Sequence, residues 1–231
     1  MILRVLFDSS LSGQEKLAVI IPHIIVVLVI VFVVLPIHEL AHGFVAHKLG
    51  DDTAKRQGRL TFNPIASIDP IGALFILLFG FGWARPVPVN PYNFKNRRVG
   101  MALTAFAGPF ANLLTGFLAA VAYVGVFLLT GRTGPEWLYN GFEHFIVINV
   151  ALAVFNLLPI PPLDGSKVLG AFLPTKVEMQ FQKYQRIIIP IMFILIFSGA
   201  FSGPLWWLED HCLTGVMWLA KLPFWIFGAV V

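Results

Sequence analysis

Long apolar runs alternate with short polar segments along most of this chain. A helix needs about 20 apolar residues to cross the hydrocarbon core of a bilayer. Five runs meet or approach this length, at about residues 17–47, 101–129, 141–160, 187–203 and 213–231. The pattern predicts an all-α polytopic membrane protein, with a single membrane-embedded domain over residues 1–231.

A sixth apolar stretch, from Ile71 to Trp83, is too short to span comfortably, and we expect it to be re-entrant between the first and second helices. The polar segments on both sides of it have strand character. In the second, Pro86 and Pro88 alternate with Val87 and Val89, which resembles an edge strand because proline cannot donate to a ladder. A β-hairpin-like segment and an unpaired proline-rich loop both fit this pattern.

The composition excludes an ordinary soluble domain. Hydrophobic residues make up 58% and charged residues 12% of the chain, and the mean hydropathy is +0.82, whereas soluble domains contain about 25% charged residues. The net charge is +4, but the basic residues lie in short clusters between the apolar runs. This distribution indicates membrane topology, and we expect no nucleic-acid partner.

The basic clusters also predict an orientation. Most of the sixteen Lys and Arg residues fall on one side if the first helix ends in the cytoplasm at Lys48 and the 71–83 stretch returns to that side. The positive-inside rule favours this arrangement. It places the N-terminus outside the cell and the polar end of the first helix toward the cytoplasm.

The first helix ends in the sequence HELAH, which contains His38, Glu39 and His42. At about 100° per residue, the two histidines lie about 40° apart on one helix face and one turn apart in height. Both imidazoles can therefore reach a single ion, with Glu39 beside them. Ionisable side chains within a membrane helix are costly and usually functional, so we predict one Zn²⁺ per chain at this site.

A catalytic zinc usually has three protein ligands and an open position for water. His47 lies on the opposite helix face, His23 is several turns away, and His144 and His211 lie toward the outer side in the predicted topology. Asp164 is the better candidate, because its segment FNLLPIPPLDG ends a helix that descends to the cytoplasmic side. An ordinary Asp-Gly turn is the plainer interpretation, but broken backbone at membrane depth is tolerated only in protein or beside a water-filled cavity.

A further polar intrusion, GPFAN, lies inside the 101–129 helix and places the Asn112 amide in the bilayer region. A hydrogen bond between helices is the favoured role for Asn112. Contact with a substrate is the alternative.

Five motifs, in order along the chain, resemble the site-2 protease family of intramembrane zinc metalloproteases, peptidase family M50. They are HELAHGFVAHKLGD, GRLTFNPIASIDPIG, FGWARPVPVNPYNF, GPFANLL and FNLLPIPPLDG. They are most similar to the minimal bacterial members, which have no PDZ or CBS domain. The resemblance implies that His38, His42 and Asp164 are zinc ligands, that Glu39 is the catalytic base and that Asn156 binds substrate or transition state.

The resulting prediction is a zinc metalloendopeptidase of the bacterial plasma membrane that cleaves transmembrane segments with zinc-activated water. The catalytic core is expected at about residues 17–186, followed by C-terminal helices over 187–231. The resemblance implies single-pass helices or signal-peptide remnants as substrates. The predicted edge strand at Val87 and Val89 would hold an unwound substrate by strand addition.

Two alternatives remain open at this point. One is a zinc protease that acts on protein tails at the membrane surface. The other is a non-enzymatic zinc-binding membrane protein, which gives no reason for Glu39 to lie beside the metal. The sequence does not fix the oligomeric state.

Overall fold

The computed structural model describes residues 5, 7, 10, 12–79, 82–131, 133–200 and 202–226. The described residues form helices joined by turns and irregular segments, which confirms the all-α prediction. The chain divides into two compact units, Met1–Asn90 and Pro91–Val231. Parts of the predicted re-entrant stretch and of the last two predicted spans, at residues 80–81, 201 and 227–231, lie outside the described residues.

The first unit begins with a nearly continuous helical run. Its helices are α1 (Gly13–Val29), α2 (Leu35–Lys48), α3 (Thr53–Arg56) and α4 (Pro70–Phe79), with a π-helical turn at Ile30–Val34 and a 3-10 turn at Pro64–Ala66. Pro36 has no amide to donate within the first turn of α2. The amide of Leu35 donates to the carbonyl of Ile30, five residues back. This spacing is typical of a π-helical turn, which here lies immediately before α2.

The second unit is built on longer helices. They are α5 (Arg97–Thr130), α6 (Glu136–Leu157), α7 (Asp164–Gly170), α8 (Thr175–Phe197) and α9 (Ser202–Ile226), preceded by a 3-10 turn at Pro91–Asn93. Its core joins α5, α6 and α9 through Ala120, Ile146, Val150, Val154 and Ala220. Small residues on α5 allow the close approach of α6, as is common between membrane helices.

Among the described residues, three helical runs are long and apolar enough to cross a membrane: Gly13–Lys48, Arg97–Thr130 and Glu136–Leu157. They correspond to the first three predicted spans. The predicted fourth and fifth spans fall largely within α8 and α9, which have 23 and 25 residues but are not apolar enough over the described residues to qualify. The count of five spans therefore stays a prediction.

The segment between the first two spans differs from the sequence-based expectation. Helix α4 has 10 residues and is therefore about 15 Å long. Its length does not show which path it takes, and the re-entrant path stays a prediction. The predicted strand character is wrong for the described residues, because residues 53–56 form α3 and residues 83–90 pair with no strand. Pro86 and Pro88 have no amide to donate, and the amide of Val87 donates to a side chain, so no ladder forms.

Candidate metal centre

Helix α2 carries three adjacent polar side chains into a buried position. His38, Glu39 and His42 are 4%, 9% and 8% exposed. The Nε2 atoms of His38 and His42 lie 3.0 Å apart, and the two rings meet edge to face, with centroids 4.6 Å apart. One turn of helix thus brings two imidazole nitrogens to a common point.

The spacing of these nitrogens fits a shared metal ion. A tetrahedral zinc site with Zn–N bonds of about 2.0–2.1 Å separates two ligand nitrogens by about 3.3–3.4 Å. The observed separation of 3.0 Å is close to that value. Imidazole is a preferred donor for zinc and for other late first-row metals, so both the donor type and the spacing suit such an ion.

Glu39 follows His38 on α2, and one of its oxygens is held in place. Oε2 accepts a hydrogen bond of 2.8 Å from the backbone amide of Val87. Within the described residues, Oε1 has no hydrogen-bond partner. The carboxylate is therefore oriented through one oxygen, while the other can accept a proton.

Arg59 adds positive charge to the surroundings of Glu39, a contribution that the sequence analysis missed. Its Nη2 donates to the carbonyl of Arg85 at 2.8 Å. Burial and the neighbouring Arg85 lower the pKa of the Arg59 guanidinium, and the Glu39 carboxylate opposes that shift. The only signal in the sequence was the position of Arg59 between the HELAH helix and the next apolar stretch.

In the second unit, Asp164 is the first residue of α7 and is 8% exposed. Its Oδ1 accepts a hydrogen bond of 3.1 Å from Nζ of Lys167, one turn later. A Cβ on the next residue, Gly165, would lie 2.1 Å from the carbonyl oxygen of Leu157. Only glycine therefore allows the turn that carries Asp164 to pack against the end of α6.

Asn112, Asn149 and Asn156 lie within the long apolar helices α5 and α6 of the second unit. Asn112 is fully buried on α5, and Asn156 on α6 donates to the carbonyl of Leu152 at 3.0 Å. Asn149, which the sequence analysis missed, is fully buried on α6, and its Oδ1 has no hydrogen-bond partner among the described residues. The predicted substrate contacts of Asn112 and Asn156 stay predictions.

Each histidine outside HELAH has a hydrogen-bond partner. Nε2 of His23 lies 3.0 Å from the carbonyl of Leu77, and Nδ1 of His47 lies 2.5 Å from Asp52. His144 and His211 each approach a carbonyl of their own helix, four residues back. Their exclusion as ligands stays a prediction.

Comparison with known proteins gives matches of two kinds. The sequence profile of Peptidase family M50 matches residues 135–199, which include Asp164 and Asn156. The chain is 42% identical to "Putative zinc metalloprotease YwhC" of Bacillus subtilis over 185 residues, which is 75% of this chain and 80% of that protein.

Two mycobacterial proteins named "Putative zinc metalloprotease Rip2" are more distant. The protein from Mycolicibacterium smegmatis is 26% identical, over 83% of this chain and 68% of its own length. The protein from Mycobacterium tuberculosis strain H37Rv is 28% identical, over 78% of this chain and 70% of its own length. No solved structure matches the chain significantly.

Proposed function

The chain belongs to peptidase family M50, and on that premise we propose that it is an intramembrane endopeptidase that cuts the membrane-spanning segments of other proteins. The relatives named above carry the name "Putative zinc metalloprotease", so zinc is the expected cofactor. Three long apolar helices are in keeping with a membrane protein. Cleavage within the bilayer is the step that goes beyond the family assignment.

Three buried side chains of zinc-ligand type supply the proposed donor set: His38, His42 and Asp164. The proposal depends above all on one observation, the buried pair of imidazole nitrogens 3.0 Å apart with the buried Glu39 between them in sequence. Two neutral imidazoles and one carboxylate resemble the ligand sets of known catalytic zinc sites. The carboxylate of Asp164 offsets one unit of the metal charge.

The proposed site residues have separate roles in the reaction. When bound, zinc lowers the pKa of a coordinated water toward neutrality and polarises a carbonyl group. Glu39 accepts the proton through Oε1 as water attacks the peptide carbonyl carbon, and then donates it to the leaving amine. The amide of Asn156 is proposed to donate to the carbonyl oxygen as negative charge develops there.

The proposed substrates are single-pass helices or signal-peptide remnants. A helix in lipid already uses its backbone carbonyls in hydrogen bonds, so the segment to be cut must unwind first. Support for cleavage at membrane depth comes from α2, which is the end of the apolar run Gly13–Lys48. Asn112 and Val89 are proposed to contact the unwound segment, and the site is proposed to face the cytoplasm, with the N-terminus outside.

The test uses purified protein in detergent and a synthetic helix of about 25 apolar residues, with a fluorophore and a quencher at its two ends. We expect wild type to cleave the peptide, a zinc chelator to stop cleavage and added zinc to restore it. Glu39→Gln should be inactive both with the chelator and after zinc is added, because an amide cannot accept the proton. Mass spectrometry locates the cut, and cuts confined to the terminal, non-apolar residues would contradict intramembrane cleavage.

A further inference from the structure

We propose that residues 83–90 form a backbone strap that positions the Glu39 carboxylate through the amide of Val87. Arg59 and Gly43 are the positioning residues that hold this strap against α2. The inference deepens the proposed function and rests on it, because Glu39 is taken to be the catalytic base.

The bond between Val87 and Glu39 is well placed to orient the carboxylate. Val87 and Glu39 are both about nine-tenths buried, and their N–H···Oε2 distance is 2.8 Å. A hydrogen bond to a charged acceptor is about twice as strong as a neutral one, and low polarity around it strengthens it further. Pro86 and Pro88 flank Val87, and their rings restrict the backbone on both sides of this amide.

The strap is fixed on both sides of Val87. Two residues before it, the Arg85 amide donates to the Ser67 carbonyl at 2.9 Å, and the Arg85 carbonyl accepts from Arg59 at 2.8 Å. Three residues after it, the Asn90 amide donates to Oδ2 of Asp51 at 2.6 Å. Asp51 is fully buried. Val87 therefore lies between two residues, Arg85 and Asn90, whose backbones are held by hydrogen bonds.

Gly43 provides the space that lets the strap reach α2. It follows Glu39 by four residues and therefore lies on the same helix face, one turn along. A Cβ on Gly43 would lie 2.7 Å from Cδ2 of Leu60 and 3.1 Å from Cγ1 of Val87. The missing side chain is what brings Val87 close enough to donate to Glu39.

This role differs from the edge strand predicted from the sequence. An amide that donates to Glu39 cannot at the same time pair with a substrate strand. Substrate pairing through Val87 predicts a higher KM for a variant that lacks this amide, whereas positioning of the base predicts a lower kcat.

The kinetic test compares Val87→Pro, which removes the amide proton, with Val87→Ala, which keeps it. We expect Val87→Pro to lower kcat by about 10- to 100-fold, the usual value of a hydrogen bond to a charged group. Its KM and zinc content should match those of wild type, and Val87→Ala should lose far less. A rise in KM with unchanged kcat would overturn the proposal in favour of substrate pairing.

Arg59 gives a second test that leaves the Val87 amide in place. Arg59→Ala should lower kcat, and Arg59→Lys should recover part of the loss because it keeps a cationic donor. Arg56→Ala is the matched control, since Arg56 is exposed on α3, and it should behave as wild type. Equal kcat values for Arg59→Ala and Arg56→Ala would contradict the role of Arg59.

A measurement without substrate separates failure of this inference from failure of the proposed function. Hydrogen exchange at the Val87 amide, followed by NMR on metal-free protein in micelles, should be at least about tenfold faster in Glu39→Ala than in wild type. Unchanged exchange would overturn the strap, even in a protein that cleaves. If wild type cleaves nothing, the proposed function fails, and the exchange result still decides whether Val87 holds Glu39.

Discussion

His42 in the first unit and Asp164 in the second are equally buried, yet the chain holds them by different means. His42 lies inside α2, where helix geometry alone sets its position relative to His38. Asp164 opens a short helix and depends on the close packing of Gly165 against the end of α6. The position of His42 is thus set by the helical period, and that of Asp164 by a single glycine that allows close packing.

The largest effect is expected when a predicted zinc ligand on α2 is removed. His42→Ala removes one of the two converging nitrogens, and we expect loss of both bound zinc and cleavage. Metal analysis of the purified protein and the peptide cleavage assay check this. His47→Ala is the control, because its ring pairs with Asp52, and it should keep its zinc; a full zinc content in His42→Ala would rule this residue out as a ligand.

A smaller loss is expected at Asn156, where the second unit is proposed to act on the substrate without binding metal. Asn156→Ala should lower kcat by about 100-fold or more, which is typical for loss of one donor to a developing oxyanion. Zinc content should stay at the wild-type level. A variant with wild-type kcat would show that this amide takes no part in the reaction.

Gly165→Ala tests how far the second unit depends on one glycine. The added Cβ would meet the Leu157 carbonyl oxygen at 2.1 Å, so the turn must shift and carry Asp164 with it. We expect zinc affinity to fall by about 10- to 100-fold, as when a residue that orients a ligand is lost. Gly141→Ala on α6 is the matched control, since a Cβ there meets nothing within 4 Å, and the two variants should differ in zinc titration.

The smallest effect is expected from Gly43→Ala, which disturbs the strap and not the ligands. Its new Cβ would press on Leu60 and Val87 at 2.7 and 3.1 Å, and the Leu60 contact is with the flexible end of a side chain. We expect kcat to fall by about 3- to 10-fold with zinc retained. Steady-state kinetics beside Gly141→Ala measure this, and loss of zinc would mean that Gly43 supports the histidines instead.

The helical features of this protein could be predicted from its sequence. The apolar runs indicated the helical class, and three of the five predicted spans correspond to helical runs long and apolar enough to cross a membrane, because length and composition are local properties. The spacing of His38 and His42 predicted a common face, because helix geometry repeats every 3.6 residues. Features that depend on one helix or one turn could therefore be predicted without a structure.

The features that were missed depend on contacts between distant residues. The alternating prolines indicated an edge strand, but the Val87 amide donates to Glu39, 48 positions earlier. The contact of Arg59 with Arg85 and the space above Gly43 also depend on how α2 and residues 83–90 pack together. No periodicity in the sequence encodes such an approach.

Asp164 is proposed to join His38 and His42 as a zinc ligand, while Glu39 acts in the reaction without binding metal. The most direct test is zinc content per chain in wild type, Asp164→Ala and Glu39→Gln, purified in detergent. We expect one zinc in wild type, loss of zinc in Asp164→Ala, and full zinc without cleavage in Glu39→Gln. Full zinc in Asp164→Ala, or active Glu39→Gln, would contradict this proposal.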